Sequence, residues 1–475
     1  MFPKEFKDRM TNLLGNESEA FFAELESGEA VRAFRVNEIK CSPDDFETIG
    51  SPISRERAKF PKGAYYTGEA FPGSLACHHA GMIYMQDPSA MATVHSIKIK
   101  EGAIVFDSCS APGGKTTQLA AFVGHSGIVV ANEYEAKRCR ILQSNVERMG
   151  CRNAIVVNLD TAVLAETYPA KFDVVLCDAP CSGEGMFRKN EQAVTEWSLE
   201  NVEMCAERQR EILTNVAKCV ASGGKLVYST CTFSLEENEM NVAWFLDNFK
   251  DFSLCDVEEG LKTVTADGIQ IENCSYDMRK TRRFYPHISA GEGQFIAVFE
   301  RDCCFDTDEY QKTKKDKKKK NAEEKPNKAD AELLAEAKKF LKENLNADFD
   351  GGVNYTLVAI GGKVYLKPDI DLPKFGVFAA GVCVGEIVGK RFAPHHQLFS
   401  AFGTAFLRKV ELKQEDRETT DYLKGLEISV EGKLEYSDKA EGYAAVLING
   451  CPVGGGKVSG GVCKNHYPKG LRNQQ

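Results

Sequence analysis

An alternation of short β-rich runs with helical patterns, beginning near residue 102, constrains the fold of this chain more than any other feature. Five runs are rich in strand-forming residues: AIVFD (103–107), GIVVANE (127–133), AIVVNLD (154–160), FDVVLCDAP (172–180) and GGKLVYSTC (223–231). Alternation of this kind is typical of a parallel sheet with helices on both faces. The sequence therefore predicts a doubly wound α/β sheet, with QFIAVFER (294–301) as its final strand.

The chain has 475 residues, more than one hydrophobic core usually organises, so we expect several domains. A lysine-rich stretch follows the last strand and predicts a linker, because such a composition cannot bury a core. A helix with Asp330 as its N-cap is predicted next. The predicted division is an N-terminal α+β region, the α/β core, the linker, an intermediate domain of uncertain role and a small β domain, at 1–75, 76–302, 303–330, 331–395 and 396–475.

Cysteine usage and apolar patterning exclude several classes of protein. The 17 cysteines are odd in number and scattered, which does not indicate a disulfide framework in a chain of this length. Their spacing does not match the paired pattern of a structural zinc site, so we expect free thiols and no metal. The N-terminus MFPKEFKDRM is charged where a signal peptide is apolar, and no stretch approaches the roughly 18 apolar residues of a membrane span. The sequence therefore predicts a cytoplasmic protein without a membrane partner.

Positive charge is concentrated in three places although the net charge is −9. The first is a group of basic residues beside Phe284 and Tyr285, namely Arg279, Lys280, Arg282 and Arg283. The second is a lysine run at 312–320, and the third is the tail KNHYPKGLR (464–472), on a β domain that we expect to be separable. Clustered positive charge marks nucleic-acid contacts. Each cluster is therefore either an RNA contact or a solvated face, and for the aromatic pair a role in the core is the alternative.

A glycine-rich turn joins the first strand to its helix in DSCSAPGGKTTQLA (107–120). Such a turn brings backbone N–H groups close to a ligand at a helix N-terminus. The alternative is a phosphate loop, since the Gly-Lys-Thr end of that motif is present at 114–116. That motif needs a glycine where this chain has Cys109, and no G-x-G-x-x-G is present, so phosphate binding is disfavoured.

Acidic residues end the next two strands. Glu133 ends the second, a position where a carboxylate commonly binds the ribose hydroxyls of an adenosine ligand. Asp160 ends the third, and it is either an acceptor for the adenine amino group or a helix cap. Together they indicate an adenosine ligand without phosphates.

The last two parallel strands end in cysteine-containing segments, DAPCSGEGMFRKN (178–190) and STCTFSLEENE (229–239). The carboxyl ends of strands surround the crevice of a doubly wound sheet, so Cys181 and Cys231 should face one ligand if their strands are neighbours. Two thiols at this edge beside Asp178 indicate chemistry. The alternative is that both are inert buried cysteines.

Three motifs, in this order and spacing, resemble those of the Sun-type RNA cytosine-C5 methyltransferases: DSCSAPGGKT, DAPCSGEG and YSTCTFSLEENE. HHAGMIYMQDPSAM (78–91) and RVN (35–37) look like the N-terminal motifs of that family. YLKGLEI (422–428) and KNHYPKGLR resemble the C-terminal extension of the bacterial branch that methylates 16S ribosomal RNA. The resemblance spans nearly the whole chain, and it is weak in the linker and in the intermediate domain.

This resemblance implies a Rossmann-like methyltransferase sheet, an N-terminal α+β RNA-binding domain and a C-terminal PUA-like RNA-binding domain. The implied cofactor is S-adenosyl-L-methionine. The residues implied to bind it are Cys109, Ser110, Ala111, Pro112, Gly113, Gly114, Lys115, Glu133, Asp160 and Asp178.

The implied reaction is methylation of cytosine C5 in RNA. Cytosine C5 is too weak a nucleophile to attack a methyl sulfonium unaided, and a thiolate that adds to C6 activates it. The resemblance implies Cys231 as the nucleophile, Cys181 as the group that assists release, and Asp178 as the partner of the cytosine N3/N4 edge. The implied substrate is 16S ribosomal RNA, free or within the small subunit. The alternatives are transfer RNA as substrate, or a non-catalytic RNA-binding assembly factor that kept the fold.

Overall fold

The computed structural model describes residues 2–27, 30–49, 53–68, 72–289, 291–303 and 328–473. The lysine run at 312–320 and most of the predicted linker lie outside the described residues. Within the described ranges, no helix is long and apolar enough to cross a membrane.

The N-terminal region combines short helices with a small antiparallel sheet of order β2-β3-β1-β4. Its helices are α1 (Lys4–Leu14), α2 (Ser18–Glu26), α3 (Pro43–Thr48) and α4 (Ala76–His79). Its strands are β1 (Ala33–Val36), β2 (Glu56–Arg57), β3 (Ala64–Tyr66) and β4 (Ile83–Met85).

The central region alternates strands and helices as the sequence predicts. Its strands are β5 (Ile104–Asp107), β6 (Ile128–Asn132), β7 (Ala154–Val157), β8 (Phe172–Asp178), β9 (Val220–Thr230), β10 (Phe252–Cys255), β11 (Ala266–Asp267), β12 (Arg282–Phe284) and β13 (Gln294–Arg301). Its helices are α5 (Pro88–Val94), α6 (Gly114–Phe122), α7 (Ala136–Arg148), α8 (Thr161–Thr167), α9 (Glu191–Glu196), α10 (Leu199–Ala217), α11 (Glu239–Asn248) and α12 (Glu259–Lys262).

Two further regions complete the described chain. The middle region contains α13 (Lys328–Asn344), β14 (Thr356–Ile360), β15 (Lys363–Lys367), β16 (Val377–Ala380), β17 (Val382–Val388) and β18 (Arg391–Pro394). The C-terminal region contains α14 (His396–Phe402), β19 (Arg408–Leu412), α15 (Arg417–Leu423), β20 (Ile428–Ser429), β21 (Leu434–Tyr436), β22 (Gly442–Ile448), β23 (Cys451–Ser459) and β24 (Val462–Asn465).

The central sheet is doubly wound about β5. The chain runs outward from β5 through β6 to β7 and then crosses to β8 and β9 on the other side, and these five strands are parallel. Strand β13 pairs antiparallel with β9, so the prediction that 294–301 belongs to this sheet is confirmed. It is not the final strand, because β16 joins the same sheet later in the chain. Val105, Phe106 and Val129 are fully buried, as expected for parallel strands covered on both faces. The predicted fold class is confirmed.

The middle region is joined to the central sheet. Strand β16 pairs antiparallel with β7, with Ala380 opposite Ile155, and so extends that sheet by one strand. Strands β14, β15, β17 and β18 form a sheet of their own, whose buried side chains pack with those of α13. The N-cap prediction for Asp330 is wrong, because α13 begins at Lys328. Asp330 lies in the first turn, where its negative charge favours the helix dipole.

The C-terminal region shares one hydrophobic core with the N-terminal region. Phe34 and Phe46 belong to the same buried cluster as Val410 and Tyr467. The Tyr467 hydroxyl lies 2.8 Å from Nδ1 of His79. The expectation of a separable β domain is therefore wrong, and removal of residues 396–475 is expected to expose the N-terminal core.

Replacement of Tyr467 by alanine should lower the free energy of unfolding by about 3–5 kcal/mol, as for other buried aromatic side chains. Tyr467 is 2% exposed, whereas Tyr436 in the same region is 56% exposed. The matched Tyr436→Ala variant should change stability by less than about 0.5 kcal/mol. Urea unfolding of both variants measures the difference, and equal stabilities would contradict the shared core.

Candidate active site

The carboxyl ends of the parallel strands open into a cleft of about 1040 Å³. It lies where the chain order reverses between β5 and β8, the place where doubly wound sheets bind ligands. The predicted site residues that line it are Cys109, Ala111, Glu133, Asp160, Asp178, Cys181 and Cys231. The other predicted residues lie in the adjoining loop and the first turn of α6, and they are Ser110, Pro112, Gly113, Gly114 and Lys115.

The loop between β5 and α6 depends on its glycines and on the N-terminal region. Gly113 has a φ of +109°, a conformation that side-chain-bearing residues rarely adopt. A Cβ at Gly114 would lie 3.1 Å from Cδ of Gln86. Arg35 is buried and donates to the Gly114 carbonyl at 2.8 Å and to the Thr117 hydroxyl at 2.7 Å. The arginine of the RVN motif therefore holds the first turn of α6 in place.

Glu133 and Asp160 both line the cleft, but their surroundings differ. Glu133 follows β6 and is 5% exposed, and its Oε1 accepts from the Glu135 N–H at 2.9 Å. Its Oε2 lies 3.5 Å from Nη1 of Arg138. Asp160 is exposed, and its Oδ1 accepts from the Ala162 N–H at 2.8 Å. The helix-cap interpretation of Asp160 is confirmed at the start of α8. Its ligand-binding interpretation stays a prediction.

Cys181 and Cys231 meet at the ends of two neighbouring strands. Strands β8 and β9 are neighbours and pair in parallel, which was the condition for the two thiols to face one ligand, and the two Sγ atoms are 3.2 Å apart. The hydrogen bond with Cys231, followed by burial, raises the pKa of the Cys181 thiol well above that of an ordinary cysteine. Cys181 is therefore held as a protonated thiol in contact with the Cys231 sulfur.

Asp178, at the end of β8, lines the same cleft as the thiols and pairs with a nearly buried cation. Its Oδ2 accepts from Nζ of Lys115 at 2.7 Å, and its Oδ1 accepts from Ser229 at 2.6 Å and Gln294 at 3.1 Å. Burial lowers the pKa of Lys115, but the charge and hydrogen bond of Asp178 outweigh it and the pKa is raised. A carboxylate offers about four acceptor positions, so one position on Asp178 is left for a ligand.

Two arginines that the sequence did not single out also line the cleft. Arg138 on α7 donates to the Ala111 carbonyl at 2.9 Å. Arg208 on α10 is exposed and has no ion-pair partner among the described residues. Arg138 and Arg208 lie in helices whose charged residues have the same spacing as those of an ordinary solvent-exposed helix face. Only the folded arrangement identifies them. The described residues bring no three potential metal ligands together.

Two buried glutamates inside the cysteine motifs were also missed. Glu184 is 2% exposed and Glu237 is fully buried, and each accepts hydrogen bonds from the segment that contains the other's cysteine. The sequence did contain a signal for them. Glu184 stands three positions after Cys181 and Glu237 six positions after Cys231, each in a segment of mostly small residues.

The basic cluster around Phe284 and Tyr285 is divided between the core and the surface, because Arg282 and Arg283 are buried whereas Arg279 is exposed. Both aromatic side chains are 3% exposed. Arg283 is buried, donates to the Glu239 carboxylate at 2.7 Å and holds the Phe233 carbonyl at 2.8 Å. The core interpretation is therefore confirmed for Phe284 and Tyr285, and an RNA contact is excluded for Arg283, because a buried carboxylate pairs with it; for the exposed Arg279 an RNA contact stays a prediction. Arg283 instead braces the segment that follows Cys231.

Three family profiles match consecutive stretches of this chain. The profile described as 16S rRNA methyltransferase RsmB/F matches residues 94–300. The profile of the N-terminal domain of 16S rRNA methyltransferase RsmF matches residues 2–88. The methyltransferase RsmF PUA domain matches residues 409–473. Their order follows that of the N-terminal region, the central sheet and the C-terminal region.

Similarity to individual proteins extends over almost the whole chain. Proteins named ribosomal RNA small subunit methyltransferase F from Vibrio atlanticus and Klebsiella pneumoniae are each 31% identical to it, over 93% of this chain and 91% and 90% of their own lengths. A solved methyltransferase homolog protein from Pyrococcus horikoshii is 29% identical, with a TM-score of 0.55 over 63% of this chain and 95% of its own. This chain belongs to the ribosomal RNA small subunit methyltransferase F family of RNA methyltransferases.

Proposed function

We propose that this protein methylates C5 of a cytosine in RNA, with S-adenosyl-L-methionine as methyl donor and Cys231 as covalent nucleophile. The observation that carries the proposal is the pair of thiols 3.2 Å apart in the cleft, beside the carboxylate of Asp178. Methyl transfer to an oxygen or to an exocyclic nitrogen needs no thiol. Methyl transfer to C5 of a cytosine does need one, because this carbon must first be made nucleophilic by covalent addition of the thiol at C6.

The cleft suits S-adenosyl-L-methionine. Its volume of about 1040 Å³ lies at the upper end for ligand pockets, which leaves room for a cofactor and a base. Glu133 presents a nearly buried carboxylate at the end of β6, where an acidic residue binds ribose hydroxyls in related sheets. Cys109 and Ala111 of the glycine-rich loop line the same cleft. Bound there, the cofactor would supply an electrophilic methyl group.

The surroundings of the two thiols favour Cys231 as the nucleophile. The raised pKa of Cys181 keeps that thiol protonated, and a thiolate is the reactive form of cysteine, so Cys181 is disfavoured as the attacking group. Cys231 interacts with the Lys115 ammonium, whose main partner is Asp178. Of the two thiols, Cys231 is therefore the better placed for addition.

The steps follow from this arrangement. The Cys231 sulfur bonds to cytosine C6, and the electron pair of the C5–C6 double bond moves to C5. C5 then takes the methyl group from the sulfonium sulfur, the bond between them breaks with its electrons staying on that sulfur, and S-adenosylhomocysteine leaves. A proton then passes from C5 to water, its electron pair re-forms the double bond, and the C6–sulfur bond breaks with its electrons returning to Cys231. Cys181, at 3.2 Å, is the group placed to assist this release. The open acceptor position of Asp178 suits the donor at the cytosine N4 edge and orients the base.

The names of the relatives point to small-subunit ribosomal RNA as the substrate, and the matching family profiles to 16S ribosomal RNA, free or within an assembling small subunit in the cytoplasm. Incubation with methyl-labelled S-adenosyl-L-methionine and deproteinised 16S RNA, small subunits or transfer RNA tests this. We expect label in 16S RNA or small subunits, at a cytosine that bisulfite sequencing reports as protected. Preferred labelling of transfer RNA would make that the substrate. Binding of RNA without label would favour a non-catalytic assembly factor.

Replacement of Glu133 by alanine should weaken S-adenosylhomocysteine binding by about 1–3 kcal/mol, because the ribose hydroxyls lose a buried partner. Isothermal titration calorimetry measures this change. The exposed Glu166 of α8, which does not line the cleft, serves as the matched control in Glu166→Ala. Because Glu133 also accepts from the Glu135 N–H, thermal melts must show that the variant stays folded. An unchanged dissociation constant in a folded variant would remove Glu133 from the site.

A further inference from the structure

A buried carboxylate beside Cys181 binds the segment that follows Cys231. Glu184 accepts four hydrogen bonds, from Trp197 Nε1 at 2.8 Å and Ser234 Oγ at 2.7 Å on Oε1, and from Phe233 N at 2.8 Å and Thr232 Oγ1 at 2.9 Å on Oε2. Each oxygen therefore faces one N–H group, which can only donate. Glu184 acts as an acceptor on both sides.

A second buried carboxylate makes the reciprocal connection. Glu237 stands in the segment of Cys231 and binds the residue that follows Cys181. Its Oε2 accepts from the Ser182 N–H at 3.0 Å and from Nε2 of Gln209 at 2.7 Å. Its Oε1 lies 2.5 Å from the Ser182 hydroxyl. Glu237 and Gln209 are both fully buried, so no solvent competes for these contacts.

The two carboxylates are joined by a chain of oxygens that is one proton short. The contacts run from Glu237 Oε1 to Ser182 Oγ at 2.5 Å, on to Thr232 Oγ1 at 2.8 Å, and on to Glu184 Oε2 at 2.9 Å. Each of these three contacts needs one proton between its two oxygens. The Ser182 and Thr232 hydroxyls supply one proton each, so one of the three contacts has no proton. Two buried oxygens facing each other without a proton are unfavourable. One of the carboxyl groups must carry the missing proton.

The surroundings place that proton on Glu237. An oxygen that bears a proton is a poor acceptor, and both oxygens of Glu184 already face N–H groups. Both N–H donors to Glu237 are at Oε2, and at its Oε1 the described residues present only the Ser182 hydroxyl, which can accept. Burial raises the pKa of Glu237 to about 7, in the same direction.

We infer that Glu184 and Glu237 are positioning residues that clamp the two thiol segments together, Glu237 as a protonated acid and Glu184 as a carboxylate. Ser182 and Thr232, at the centre of this row of oxygens, directly follow Cys181 and Cys231 in the sequence. The Gly185 N–H also donates to the Cys231 carbonyl at 2.9 Å. This inference rests on the proposed cysteine chemistry, because the clamp fixes the distance between its two sulfur atoms.

Glutamine variants distinguish the two glutamates. Glutamine reproduces a protonated acid, with one N–H₂ donor and one acceptor, so Glu237→Gln should keep every contact and transfer methyl groups within about threefold of the wild-type rate. In Glu184→Gln the N–H₂ group must face an N–H donor in either orientation of the amide. This variant should therefore transfer methyl groups about 10- to 100-fold more slowly than the wild type. Glu184→Ala and Glu237→Ala should lose rate to the same extent. The matched control is Glu236→Gln. Glu236 lies next to Glu237 but accepts a hydrogen bond from Arg9, so this variant should transfer methyl groups at the wild-type rate.

Hydrogen–deuterium exchange of the free protein gives a readout that does not depend on methyl transfer. The backbone amides of residues 181–185 and 231–234 should exchange about tenfold faster in Glu184→Gln and Glu237→Ala, and at the wild-type rate in Glu237→Gln. Wild-type transfer and exchange rates in Glu184→Ala and Glu237→Ala would overturn the clamp. Equal losses in Glu237→Gln and Glu237→Ala would overturn the protonated state. Exchange that follows the expected pattern in a protein that methylates no cytosine would instead contradict the proposed reaction, and with it the positioning role.

Discussion

Replacement of Cys231 by alanine is expected to lower methyl transfer by roughly 10⁴-fold or more, because the variant lacks the sulfur that activates C5. Cofactor binding should change by less than about 0.5 kcal/mol. The reason is that Cys231 follows β9 whereas Glu133 follows β6, and two strands, β8 and β5, lie between them in the sheet. Single-turnover transfer from labelled S-adenosyl-L-methionine and titration with S-adenosylhomocysteine measure the two quantities separately.

Cys205 provides the matched control for this variant. It is a buried cysteine on α10 that does not line the cleft, and burial raises its pKa to about 11. Cys205→Ala should transfer methyl groups at nearly the wild-type rate, with only a loss of stability of about 1–3 kcal/mol. Turnover of Cys231→Ala within tenfold of the wild type would remove Cys231 from the reaction. Loss of cofactor binding in Cys231→Ala would assign it to the adenosine site instead.

The central sheet could be predicted because its signal is local. Each parallel strand is a short run of buried apolar residues, and each is followed by a recognisable helix or turn. The contribution of β16 could not be predicted, because its pairing with β7 joins residues more than 200 positions apart. The hydrophobic core that contains both Phe34 and Tyr467 could not be predicted for the same reason. Periodicity shows that a face is buried, but it does not show which distant segment covers it.

The same limit separates the predicted from the missed residues of the candidate site. The strand-end rule brought Asp178, Cys181 and Cys231 to one cleft because it depends only on strand order. The rule says nothing about side chains from helices, so Arg208 was not found. Arginines beside aromatic residues have the same pattern on a surface and in a core, and Arg283 lies in the core because Glu239, 44 residues away, pairs with it.

Replacement of Cys181 by alanine should leave the protein covalently attached to RNA. The variant keeps Cys231, so sulfur can still add to C6 and the methyl group can still be transferred. It lacks the thiol that lies 3.2 Å from the Cys231 sulfur and that, in the proposed mechanism, assists cleavage of the C6–sulfur bond after the C5 proton has left. The adduct should accumulate as a slower-migrating band on a denaturing gel, and nuclease treatment should remove it. Turnover should fall to near a single event per protein molecule.

The location of that band decides which thiol attacks. Its appearance in Cys181→Ala alone supports attack by Cys231, because the attached sulfur must be present in the variant that is trapped. Its appearance in Cys231→Ala alone would make Cys181 the nucleophile, in spite of the raised pKa that keeps Cys181 protonated. The double variant Cys181→Ala/Cys231→Ala has neither sulfur and should give no band, which excludes attachment through another cysteine. If neither single variant is trapped and each loses only about 1–3 kcal/mol of stability, both thiols are packing residues. Because both thiols are partly exposed and line one cleft, a band in one variant alone reflects their chemistry and not the burial of one of them.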